Sequence, residues 1–271
     1  MDNVLKNIQI HLYRRNPMSM EANHKTDTLA QYTAEDVYQI LRGEIISLRL
    51  LPGSVITEMA VSSRFGLSRT PIRSVFAKLS QEGLLDLQGR KGTFVSLINL
   101  EMAEQTLFLR TQVEYGVMRY ICLHPDAILF SNLKKNLDLQ QQFADGLLPA
   151  DDFYRVDSEF HGMCMESAGK LRLWQIIQGM DVHYARYRRL DYSTSGRTNT
   201  FSTLHQQHEE LLELMKSRQI GPLYRSITEH LYSGMLRIGS DLFQNYNAYF
   251  SPSSRSIHDI LRDFKIQIND S

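Results

Sequence analysis

Residues 66–79, Gly66-Leu67-Ser68-Arg69-Thr70-Pro71-Ile72-Arg73-Ser74-Val75-Phe76-Ala77-Lys78-Leu79, decide how the first hundred residues are read. Ile72, Val75, Phe76 and Leu79 fall at i, i+3, i+4 and i+7, so the spacing predicts a helix with one buried face. Arg69 and Arg73 share the opposite, exposed face. Pro71 sits in the first turn, where its missing N–H has no intrahelical partner to lose, and Ser68 is placed to cap. Gly66 can take positive φ and so makes the tight turn from a short helix at about 57–65. Further upstream, Thr33 with Glu35 and Asp36 opens a helix whose apolar positions are Val37, Ile40, Leu41, Ile45 and Leu48, and Pro52-Gly53 then turns the chain. Downstream of Gly83, Leu85-Asp86-Leu87 alternates like a strand, Gly89-Arg90-Lys91-Gly92 turns, and Thr93 to Leu97 returns. Three helices followed by such a hairpin make a winged helix-turn-helix. Its exposed helix N-terminus with two arginines suits phosphates and guanine edges.

The remaining length bounds the rest. At 271 residues with 42% hydrophobic residues, the chain exceeds one domain and can bury more than one core. We read a flexible leader at 1–31, the winged helix-turn-helix at 32–98, a larger helical domain at 99–245, and a tail at 246–271 with a short helix at 256–264. No apolar run reaches membrane-spanning length, and the leader has no secretory pattern. Two cysteines, Cys122 and Cys164, are too few for a disulfide framework, which fits a reducing cytoplasm. The 30 basic and 30 acidic residues cancel, which by itself argues against a nucleic-acid partner. The average hides a local bias. Between Ser62 and Phe94, six cations (Arg64, Arg69, Arg73, Lys78, Arg90, Lys91) face only Glu82 and Asp86.

The run from Leu51-Pro52-Gly53 through Gly66-Leu67-Ser68-Arg69-Thr70-Pro71-Ile72-Arg73 to Gly83-Leu84 and Gly92 resembles the GntR superfamily of transcription regulators. The resemblance implies contacts to a double-stranded DNA operator from Ser68, Arg69, Thr70 and Arg73, with the wing tip, Arg90, Lys91 and Gly92, reaching the minor groove. Met59 stands where the best-known relatives carry a second-helix arginine that also reads DNA, so the operator is expected to differ. One wing and one short helix supply few contacts, so a homodimer on a two-fold site is expected.

Beyond Asn99 the period stays near 3.6, with breaks at His124-Pro125, Gly146 to Pro149, Gly169, Ser193 to Asn199 and Gly221-Pro222. That pattern predicts an all-α bundle with helices at about 100–122, 126–145, 150–168, 171–191, 201–217 and 220–243. Polar residues interrupt its apolar stripes. Asp157 and His161 lie four apart on the stripe of Phe153, Val156, Phe160 and Cys164; His208 is in phase with Leu204, Leu211, Leu212 and Met215; His230 is in phase with Leu223, Ile227 and Leu231. A buried carboxylate needs a partner. One carboxylate with three imidazoles suits a borderline divalent ion, zinc first, with nickel or manganese as alternatives. Singly, each histidine reads more often as a satisfied core residue than as a ligand. Together, Asp-x₃-His, Gln207-His208-Glu209-Glu210-Leu211 and Glu229-His230-Leu231 resemble the metal-binding version of the FCD effector domain. The whole chain is thereby similar to the FadR subfamily of GntR regulators. His205, one turn from His208, reads as a surface residue, with a supporting or substitute ligand as the alternative.

The same resemblance implies that a small organic or sugar acid acts as effector at the metal, held by arginines. Arg110, in Leu109-Arg110-Thr111-Gln112-Val113-Glu114, matches the family's first-helix arginine; an i, i+4 pair with Glu114 is the equally open alternative. Arg186, in Tyr184-Ala185-Arg186-Tyr187-Arg188-Arg189, is the second candidate, set against a solvated helix end. The expected function is thus a ligand-responsive regulator, repressor or activator, and not an enzyme. Two other readings are a metal-free apolar effector pocket and a metal-dependent hydrolase. The latter lacks both His-Glu-x-x-His and a Gly-x-Ser-x-Gly elbow.

Overall fold

The computed structural model describes residues 32–194 and 197–252, together with 259 and 262. The leader at 1–31 and nearly all of the tail helix read at 256–264 lie outside the described residues. Among the described residues the chain is mainly helical with one three-stranded sheet.

α1 (Ala34–Ile46) starts in a capping box: the Thr33 side chain accepts from the Asp36 N–H while the Asp36 carboxylate accepts from the Thr33 N–H. A strand not foreseen from the sequence, β1 (Val55–Ile56), follows; two residues are too few for a period to register. α2 (Glu58–Phe65) ends at Gly66, whose φ of 67° makes the left-handed turn into α3 (Arg69–Gln81). Ile72, Val75, Phe76 and Leu79 of α3 are buried against Val37, Leu41 and Ile45 of α1 and Val61 and Phe65 of α2. Ser68 holds the cap position with extended backbone but makes no side-chain cap bond. The wing is antiparallel, with β3 (Thr93–Val95) between β1 and β2 (Leu85–Leu87) in the register Val55↔Phe94 and Asp86↔Phe94.

The rest is a helical bundle: α4 (Leu100–Leu123), α5 (Ala127–Ala144), α6 (Phe153–Ser167), α7 (Leu171–Met180), α8 (Val182–Thr194), α9 (Arg197–Lys216) and α10 (Leu223–Tyr246). The single helix expected at 171–191 is two, broken at Asp181, whose carboxylate accepts a hydrogen bond from the Tyr154 hydroxyl at 2.5 Å. No helix among the described residues is long and apolar enough to cross a membrane.

The two parts share apolar surface. Val182, the first residue of α8, is buried in the cluster formed by α1 to α3, while Leu48 and Ile98 belong to the bundle's cluster. The connection between wing and bundle is tied down as well. Ile98 N–H donates to Tyr249 O at 2.8 Å and its carbonyl accepts from Ser251 N–H at 2.9 Å.

Candidate nucleic-acid interface and metal centre

On the first part, Ser68, Arg69, Thr70 and Arg73 are all exposed along the N-terminal half of α3, and Arg90 and Lys91 are exposed on the short 3-10 turn at the wing tip. Gly92, with φ of 111°, closes that turn in a conformation a side chain would strain. Buried apolar residues fix α3 on one face, so its cations are held outward. Arg73 is not loose on that face: Nε and Nη2 lie 3.3 and 3.4 Å from the Glu58 carboxylate at the start of α2. Met59 is 62% exposed beside it.

In the bundle, Asp157 and His161 of α6, His208 of α9 and His230 of α10 are brought together, each offering one ligand atom with all four atoms within 4.8 Å of one another. All four side chains are buried. The Nε2 atoms converge, His161 to His230 at 3.1 Å and His161 to His208 at 3.2 Å. Behind each ring an oxygen faces Nδ1: Gln140 Oε1 at 2.8 Å from His208, Gln207 Oε1 at 3.2 Å from His230, and Glu114 Oε2 at 2.6 Å from His161. The last approach is close but off the direction of a good hydrogen bond. Oxygens at Nδ1 favour the N–H there and leave Nε2 as a lone pair. Three lone pairs that meet at hydrogen-bond distance repel unless a cation or proton lies among them.

The charge states agree with that arrangement. Burial lowers His208 to about 3 and His230 well below its ordinary value, so both rings are neutral near pH 7. For Asp157, burial pushes the carboxyl up, but the Arg188 guanidinium 2.7 Å from Oδ2 outweighs it and holds the group well below the usual carboxylate range. Its other oxygen, Oδ1, is buried without a hydrogen-bond partner, 4.0 Å from His208 Nε2. A carboxylate oxygen and imidazole nitrogens, each backed by a further polar group, are a donor set that fits a divalent cation. His205 stands apart from it, 3.7 Å from Glu209 across one helical turn.

Beside the cluster is a small cavity of about 10 Å³, room for about one water, lined by Arg110, Tyr184, Arg188 and His230 among others. Arg110 Nε donates to Glu114 Oε1 at 2.6 Å while its Nη2 is buried without a partner, so the helical pair and a place at the cavity coexist. Arg186 is elsewhere. It is buried at the junction, donating to Ser96 O at 2.7 Å and Val182 O at 3.1 Å, with Nη2 2.9 Å from His183 Nδ1, which also accepts from Asn99 N–H at 3.1 Å. The structure therefore moves the second cavity arginine from Arg186 to Arg188. Residues two apart on a helix point about 200° apart. Only one of them can face the cavity, and the break at Asp181 resets which one.

Sequence reasoning passed over Gln140, Gln207, Glu114 as a histidine partner, and Arg188. Gln140 had a usable signal: it is in phase with Leu133, Leu137 and Ala144, a polar residue on an apolar stripe like Asp157 on its own.

Comparison with known proteins agrees with this anatomy. Residues 33–95 match the model of the bacterial regulatory proteins of the gntR family, and residues 105–233 match the FCD domain. The HTH-type transcriptional repressor RspR of Escherichia coli K12 is 28% identical over 197 residues, which cover 73% of this chain and 85% of that protein. An HTH-type regulator from an unstable DNA locus of Streptomyces ambofaciens is 29% identical, covering 70% of this chain and 78% of its own length. Among solved structures, Escherichia coli McbR/YncC aligns with a TM-score of 0.63 at 16% identity, over 79% of this chain and 98% of that one. A GntR-type regulator from Rhodococcus aligns with a TM-score of 0.61 at 18% identity, over 76% and 98%. The two relatives and the Rhodococcus protein are named as transcription regulators.

Proposed function

From the premise that the chain belongs to the GntR family of DNA-binding transcription regulators, with an FCD domain behind its winged helix-turn-helix, we propose that it is a homodimeric, metal-dependent sensor of a small organic or sugar acid. The observation that carries this reading is the convergence of three Nε2 atoms and an unpartnered Asp157 oxygen at a buried point beside a cavity holding two arginines. In this reading Asp157, His161, His208 and His230 hold the ion, and zinc or nickel ranks above manganese by intrinsic affinity. The bound ion supplies open coordination positions for an anionic oxygen. Arg110 and Arg188 supply the charge that holds the rest of the acid. That lining disfavours an apolar effector.

The DNA side of the proposal assigns Ser68, Arg69, Thr70 and Arg73 to the major groove and Arg90, Lys91 and Gly92 to the minor groove, with two copies on a two-fold operator. The cavity is smaller than an organic acid, so a bound acid pushes its walls apart, α8 among them. α8 also carries Arg186, bonded to Ser96 O just after β3. We assign the coupling to this helix; the 97–100 connection between wing and bundle is itself pinned by residues 249–251.

Two experiments test the proposal. Plasma emission analysis of protein purified without chelator is expected to find about one divalent ion per chain, lost in His208→Ala/His230→Ala; full metal content in that variant overturns the site. Organic and sugar acids are then screened by thermal shift, and each hit is titrated against an operator fragment. A hit that binds metal-free protein equally well, or leaves operator affinity unchanged, overturns the sensing role.

A further inference from the structure

We infer that Asn136 and Gln140 form a relay, anchored on a backbone carbonyl, that fixes which ring nitrogen of His208 is left bare for the metal; the inference rests on the metal reading above. Asn136 Nδ2 donates to Val156 O at 2.9 Å. A carbonyl can only accept, so the Asn136 amide is oriented with its nitrogen toward Val156 and its Oδ1 away from it. Gln140 Nε2 donates to that Oδ1 at 2.7 Å, which turns Gln140 Oε1 toward His208 Nδ1 at 2.8 Å. An oxygen with no hydrogen can only accept there. His208 Nδ1 therefore carries the ring proton, and Nε2 presents its lone pair to the cluster.

Each link is buried: Gln140 and His208 are fully enclosed, Val156 likewise, and Asn136 is 8% exposed. Water has no route to substitute for a missing partner, so each amide has one orientation that satisfies it. The relay also ties three helices at the site. Asn136 and Gln140 are one turn apart on α5, Val156 immediately precedes Asp157 on α6, and His208 is on α9. It thereby sets the bare nitrogen of one ligand against the backbone that carries another. His230 has a weaker counterpart: Gln207 is only partly buried and its oxygen stands 3.2 Å from Nδ1. Gln140 is thus a positioning residue for the centre and not a ligand.

The test reads the tautomer directly. In ¹⁵N-labelled, chelator-treated protein, two-bond proton–nitrogen correlations of the imidazoles, assigned with His208→Asn, should show His208 protonated at Nδ1. Gln140→Leu should shift that ring toward a mixture or the other tautomer and weaken zinc binding about 10- to 100-fold, the usual cost of losing such a supporting partner. Gln140→Glu, which keeps an acceptor oxygen at His208 Nδ1 but loses the N–H donated to Asn136 Oδ1, should preserve the His208 tautomer while breaking the link to Asn136, and Asn136→Leu should loosen the tautomer by freeing the Gln140 amide to turn over. A wild-type His208 protonated at Nε2 overturns the relay, whatever the Gln140 and Asn136 variants do. Zinc binding unaffected by Gln140→Leu overturns the positioning role alone, whereas failure of the wild-type protein to bind zinc in the same titration overturns the metal reading beneath it.

Discussion

Replacing Asp157 by asparagine keeps the shape of a proposed ligand and removes its charge, and the consequence for stability can be worked from the geometry. The Asp157 and Arg188 side chains are 1% and 7% exposed, and Arg188 Nη1 is 2.7 Å from Oδ2. Taking one member from a buried ion pair costs about 3–5 kcal/mol, because the remaining charge loses that partner without regaining water. The rings of Tyr154 and Tyr184, 5.2 and 5.6 Å from the guanidinium carbon, return part of this through cation–π attraction, so the low end, about 3 kcal/mol, is expected. In a protein of this size that lowers the midpoint of thermal unfolding by about 6–12 °C. The assay is denaturation of chelator-treated protein, which separates the ion pair from any stabilisation by metal. Arg188→Met completes a double-mutant cycle whose coupling should exceed about 1 kcal/mol. Asp157→Asn within about 1 kcal/mol of wild type, or an additive cycle, would refute the buried pair. With zinc restored at about 100 times its Kd, wild type should gain about 2.7 kcal/mol further and Asp157→Asn less.

Arg73→Ala should weaken specific operator binding by about 1–3 kcal/mol, and unchanged affinity in a filter or anisotropy titration would remove Arg73 from the readout. Lys91→Ala should weaken all sequences alike and reduce the slope of log affinity against log salt by about one. His183 gives a pH dependence: burial, aided by the Arg186 cation, lowers it to about 4, and its Nδ1 already accepts from both Asn99 N–H and Arg186. An unfolded histidine titrates near 6.5, so this contribution is present above about pH 6.5 and is lost as pH falls toward 4, by about 1 kcal/mol at pH 5.5. His183→Gln, which keeps an acceptor, should flatten urea stability between pH 7.5 and 5.5 by that amount; an unchanged pH slope would show that the junction does not need a neutral ring.

The helix-turn-helix was legible because its determinants are local. A glycine at positive φ, a proline in a first turn and an i, i+3, i+4, i+7 stripe each constrain a few consecutive residues, and Gly66, Pro71 and the Ile72 to Leu79 stripe all did so. Phase also singled out Asp157, His161, His208 and His230, since a polar residue on an apolar stripe is conspicuous without any knowledge of its neighbours, and the structure brings these four together. What could not be read was whatever depends on the relative rotation of two helices. The break at Asp181 is held by a hydrogen bond to Tyr154, 27 residues earlier, and nothing within 171–191 announces it. Missing that break put Arg186 at the cavity in place of Arg188. β1 escaped for a different reason: it exists only because β3 pairs with it.

The placement of those two arginines bears on how much structural change sensing requires. Arg188 ends on a proposed metal ligand and Arg186 on the carbonyl of Ser96, from opposite sides of one short helix. By linkage, an effector that changes operator affinity tenfold must itself bind DNA-bound and free protein with affinities differing tenfold, about 1.4 kcal/mol. A single hydrogen bond from a charged donor contributes about 1.5–3 kcal/mol. Lengthening or losing only the Arg186–Ser96 bond is therefore enough to supply a tenfold response, and no rearrangement of the bundle is needed. The same arithmetic bounds the device from above: Val182 sits in the core of the DNA-binding domain, so α8 can rotate or slide only as far as that packing allows before the loss of apolar burial exceeds the coupling it transmits. A small, hydrogen-bond-scale shift of α8 is the motion that satisfies both limits.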